Sequence, residues 1–66
     1  MPSNSKLNYA KREIELAKTY LEKNPDDVVQ KERLSWWSSY VGDFETAREY
    51  AVTEKAQAYL KQCETS

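Results

Sequence analysis

LSWWSSYVGDFETAREY, residues 34–50, holds the only glycine of a 66-residue chain, and its reading decides the fold. Up to Val41, the apolar residues Val29, Leu34, Trp37 and Val41 fall near one direction of a helix, with Trp36 and Tyr40 beside them. Lys31, Glu32 and Ser35 supply its polar face. Gly42 then stands where a helix ends in a left-handed residue, and Asp43 where the next begins, its carboxylate placed to accept from first-turn amides. Two helices joined by so short a link are expected to form an antiparallel hairpin. The second helix of the chain then covers about 27–41 and the third about 44–62. The third has Phe44, Ala47, Ala51 and Ala58 on one side, and Val52, Ala56, Tyr59, Leu60 and Cys63 on another.

Upstream, Leu7, Ala10, Ile14, Ala17 and Leu21 step by three and four residues, and Tyr9, Leu16 and Tyr20 widen that stripe. The spacing predicts a first helix over about 5–23, with Ser3 or Ser5 as its N-cap. NPDD, residues 24–27, ends it: the residue before proline avoids the helical region, and Asp26 or Asp27 can cap the helix that follows. No stretch alternates apolar and polar long enough to read as a strand. The expectation is a single all-α domain over residues 1–66, a three-helix arrangement whose second and third helices form the hairpin.

A chain this short is expected to bury only about 60% of the surface its unfolded form exposes, so its stability needs help from regular helix packing or from a partner. Cys63 is the only cysteine and there is no histidine, so an internal disulfide is excluded and no Cys–His zinc site can form. No metal or cofactor is expected. Ten basic and eleven acidic residues interleave, for a net charge of −1, which argues against a nonspecific grip on nucleic acid or an anionic membrane. The N-terminal stretch lacks the apolar run of a signal peptide, and no segment is apolar enough to span a bilayer, so a soluble, cytoplasmic protein is expected.

YVGDFETAREY, residues 40–50, resembles the turn between the two helices of a tetratricopeptide repeat. IELAKTYLEKNPDD, residues 14–27, is similar to the second helix of such a repeat running to its closing proline. A repeat opening near Val28 places Leu34, Gly42, Phe44 and Ala47 at its leucine, glycine, aromatic and small-residue positions. Lys31, Ser35, Ser38, Ala51 and Tyr59 depart from the tryptophan, glycine, tyrosine, phenylalanine and proline of the pattern, and Glu13 from its small residue. The resemblance amounts to about one and a half repeats, where three or more normally close a core, and it implies helical-hairpin geometry.

The residues narrow function mainly by what they lack. Without histidine the commonest general acid or base near neutral pH is missing, as are Ser-His and Cys-His pairs, and there is no glycine-rich phosphate loop. The acidic pairs Glu13/Glu15, Asp26/Asp27 and Glu45/Glu49 read as a solvated face or a helix cap, and the protein is expected not to be an enzyme. Cys63 reads as a partly buried thiol without a CaaX ending.

The aromatics carry more. Eight of 66 residues are Trp, Tyr or Phe, and Trp and Tyr are enriched at interface hot spots. Trp37, Phe44 and Tyr59 are expected to fill the core, although a rotation of the second helix by one residue would exchange Trp37 with Trp36. Trp36 and Tyr40, at i and i+4, form an exposed flank, kept accessible by Ser35, Ser38 and Ser39 and extended by Tyr9, Leu16 and Tyr20. The expected function is a small protein–protein interaction module, an adaptor or inhibitor, homodimeric through that flank, with Trp36, Tyr40, Trp37, Tyr9, Leu16 and Tyr20 as partner-binding residues. The alternative is a small nucleic-acid-associated regulator of the kind mobile elements encode, which predicts salt-sensitive binding to DNA or RNA.

Overall fold

The structure, a computed structural model, describes residues 4–65 and is all-helical, with four helices: α1 (Asn4–Lys23), α2 (Val28–Val41), α3 (Phe44–Tyr50) and α4 (Glu54–Thr65). The expected third helix is therefore two, broken at residues 51–53. No described helix is long and apolar enough to cross a membrane.

Local chemistry sets most of the boundaries. Asp27 caps α2, its carboxylate accepting the Gln30 amide at 3.1 Å, and Asp43 caps α3 through the Thr46 amide at 3.3 Å. Gly42 ends α2 at φ 87°, with its own amide donating to Ser39 O and that of Asp43 to Ser38 O, the paired 5→2 and 6→1 bonds of a Schellman stop. Ser5 lies inside α1 rather than capping it, and Ser3 lies outside the described residues.

The break at 51–53 has a tertiary cause. Ala51 N–H turns back to Arg48 O at 3.4 Å, and the Ser35 hydroxyl of α2 donates to the Ala47 carbonyl at 2.8 Å. Beyond it, Thr53 Oγ1 accepts from the Ala56 amide and donates to Glu32 Oε2 at 2.6 Å, which caps α4 and ties its start to α2. The Gln57 side chain closes the corner by donating to Ala51 O.

Helix α2 is the axis of the packing. α1, α3 and α4 each lie against it and α3 touches α4, while the backbone of α1 meets neither α3 nor α4. Among the described residues, the buried apolar ones are four alanines and three leucines: Ala10, Ala17, Leu21, Leu34, Ala47, Ala56 and Leu60. Ala17, Leu21 and Leu34 form the α1–α2 cluster, with Ile14 and Tyr50 packed on it. Glu13, expected on a solvated face, is mostly covered and joins Arg33 of α2 at 3.0 Å.

On the α3 side, Ser35, Ser38 and Ser39 are fully or almost fully buried. This corrects two expectations, that Ser35 is on a polar face and that the three serines border exposed rings. Their small side chains permit close helix approach, and Ser39 returns its hydroxyl to Ser35 O four residues back. Val29 was expected on the apolar face of α2 and is 65% exposed, while Gln30 beside it lies against α1.

Candidate functional site

The side of α2 turned away from the serines carries Trp36, Trp37 and Tyr40, and α1 and α4 flank it without meeting over it. Large rings fill that space. Trp36 stacks on Tyr59 of α4, with centroids 4.3 Å apart and planes at 14°. Trp37 meets Tyr9 of α1 at 5.4 Å and 71°, and Tyr40 at 6.0 Å and 84°, both edge-on arrangements that suit the ring quadrupoles. The Lys6 ammonium lies 5.5 Å from the centroid of Tyr40, in cation–π range.

None of the eight aromatic residues is fully buried. The expectation that Trp37, Phe44 and Tyr59 form the core is thus corrected: each is half-buried, and the core positions hold Leu and Ala. Of the indole pair, Trp37 is the more covered and Trp36 is 39% exposed.

Between the rings lies an open cleft of about 210 Å³ lined by Lys6, Trp36, Trp37, Tyr40 and Tyr59. A second hollow of about 250 Å³, lined by Glu32, Arg33, Trp36, Trp37 and Lys55, lies on the other side of the indole pair. Tyr59 is pushed above the ordinary phenol pKa by burial first, then by its hydrogen bond and charge interaction with Cys63, then by Tyr40. The shift favours the neutral phenol of Tyr59 at the cleft wall.

Four of the six residues singled out in the sequence come together here: Trp36, Trp37, Tyr40 and, through its contact with Trp37, Tyr9. Leu16 and Tyr20 do not join them. They line a separate α1–α2 hollow with Glu13, Ala17, Gln30 and Arg33, and both are largely exposed. The sequence reading missed Tyr59 as a wall and Lys6 as a rim. A helix-to-helix stack has no signal in local spacing; the only clue was that Tyr59 and Cys63 share a flank at i and i+4.

Among the described residues no group of three or more His, Cys, Asp or Glu side chains is placed to hold a metal ion. Comparison of the chain with family models, with curated proteins and with solved structures gives no match. The class that the fold defines is a small all-helical protein, and its most distinctive surface is the aromatic cleft.

Proposed function

We propose that this protein is a non-enzymatic interaction module that binds another protein chain, first a second copy of itself, through the aromatic face centred on Trp36 and Tyr40. The observation that carries the reading is the cleft itself. Two indoles and two phenols sit half-open at the surface, while the buried apolar residues among those described are only alanine and leucine. Large apolar rings left partly in water gain most from being covered by a partner, and Trp and Tyr supply that gain at interfaces. A chain of this size also gains stability from association. The absence of histidine supports a role without catalysis. The two-residue link between α2 and α3 and its Schellman stop support the antiparallel hairpin that the tetratricopeptide-like turn implies.

Sedimentation equilibrium over a wide concentration range tests the reading. The Trp36→Ala variant is expected to weaken association by ~2 kcal/mol, roughly thirtyfold in Kd, while its far-ultraviolet circular dichroism stays helical. Loss of the helical signal instead makes Trp36 structural and removes the basis of the proposal.

A further inference from the structure

Formal charge does not select what enters the aromatic cleft. Its one charged lining residue, Lys6, is engaged over the Tyr40 ring and has a further interaction besides. The neighbouring hollow mixes Glu32 with Arg33 and Lys55, and Arg33 is already paired with Glu13.

Hydrogen-bonding capacity does select. Among the described residues, neither indole N–H nor the Tyr40 hydroxyl has a hydrogen-bond partner, whereas the Tyr59 hydroxyl is held by Cys63. Ser38 Oγ is the one buried side-chain atom left unpaired among the described residues, so the Trp37 and Tyr40 donors reach solvent, and Trp36 is 39% exposed. An indole N–H only donates. The cleft therefore offers aromatic surface and unspent donors, and its complement is apolar bulk that carries acceptors without donors of its own.

A run of prolines has that chemistry. Each proline supplies a carbonyl and no N–H, and the polyproline II backbone makes no internal hydrogen bonds, which leaves every carbonyl for its surroundings. A helix spends its carbonyls on itself. A strand brings N–H groups as well, and the described residues hold no sheet edge to receive them. The shape agrees: Trp37 and Tyr40 meet at 84° and leave a shallow slot between ring faces. At about 210 Å³ the cleft is smaller than the roughly 300 Å³ at which small-molecule pockets begin, and suits the side rings of a longer segment.

We propose that the cleft receives a proline-rich segment of another protein in the polyproline II conformation, its rings against Trp36, Trp37 and Tyr40 and its carbonyls accepting from the two indoles and the Tyr40 hydroxyl. The inference rests on the aromatic interface proposed above and names the partner that takes the face when a second copy does not. The chain's own prolines, Pro2 and Pro25, are isolated, so a second copy cannot supply the run. The segment is already extended when free, which lowers the ordering cost of docking on so small a surface.

The test titrates blocked decaproline into the isotope-labelled whole chain, at a concentration where sedimentation shows a monomer, and follows the two indole N–H resonances. Both are expected to move saturably with decaproline and to stay still with a blocked Gly-Ser peptide of equal length. Tyr40→Phe keeps the ring and loses the donor, and is expected to bind about fivefold more weakly. Tyr20→Phe, at the separate α1–α2 hollow, is expected to bind like wild type. Indole resonances that do not move up to about 1 mM decaproline, or that move equally with the Gly-Ser peptide, overturn the proposal. So does a Tyr40→Phe variant that binds no more weakly than Tyr20→Phe. Where decaproline fails and Trp36→Ala still abolishes self-association, the proline partner falls and the aromatic interface stands; a wild type that neither self-associates nor binds decaproline overturns both.

Discussion

On the side of α2 that meets α3, Ser35, Ser38 and Ser39 are buried, and the contact depends on how little space they take. On the side between α1 and α4, Trp36, Trp37 and Tyr40 are partly open, and the contact depends on how far their rings reach. The two sides solve the same problem, holding a helix of 14 residues among three others, with opposite materials. A small-residue seam tolerates no added volume. A ring-filled gap tolerates variation and leaves a surface for something else to occupy. What this teaches is that side-chain size, more than polarity, sorts the faces of α2.

The largest expected effect tests the seam. Ala47 is fully buried where α3 meets α2, so Ala47→Leu is expected to destabilise the fold by about 2 kcal/mol through overpacking. Urea unfolding followed by circular dichroism measures it, and a neutral result means the seam has room and the contrast fails.

A smaller effect concerns the α2–α3 link. Asp43→Ala is expected to cost about 1 kcal/mol by removing the cap of α3. The Thr46 hydroxyl, followed by its amide, holds the Asp43 carboxyl below its ordinary pKa. A lowered folded-state pKa means that the group's contribution is present above the unfolded value and is lost as pH falls through the folded one. The stability difference between wild type and variant should therefore narrow on acidification through the carboxylate range, and a difference that is flat with pH refutes the cap.

The smallest expected effect separates one serine from its neighbours. Ser38 Oγ is buried with no hydrogen-bond partner, so Ser38→Ala is expected to be neutral or slightly stabilising, within about 0.5 kcal/mol. Ser35→Ala, by contrast, abandons the Ala47 carbonyl at the end of α3 and should be measurably worse in the same assay.

The parts of this fold that were legible in the sequence are those that neighbours along the chain decide. The span of α1, the Pro25 corner, the Asp27 and Asp43 caps and the Gly42 stop all follow from side chains acting on their own backbone. The break after Tyr50 was not legible, because Ser35 and Glu32, over ten residues away, determine it. In retrospect Thr53 ahead of Glu54 is a helix-start signal, masked by the alanines around it. The serine seam was unreadable for a different reason: a serine facing a helix and one facing water look alike in a polarity pattern. Trp36 and Tyr40 were identified because they are large and share a flank, whereas the Tyr59 wall depended on where α4 docks.

That the backbone of α1 meets only that of α2 has a consequence for how the cleft persists. Lys6 and Tyr9 reach the aromatic cluster only while α1 is docked, and a corner of four residues, 24–27, tethers it. Segments of a fold open locally with free energies of their own. Undocking of α1 strips one wall and the cation from the cleft together, so any occupant that needs them also latches the helix shut. Binding and the slowing of amide exchange along α1 are then the same event, measured in two ways.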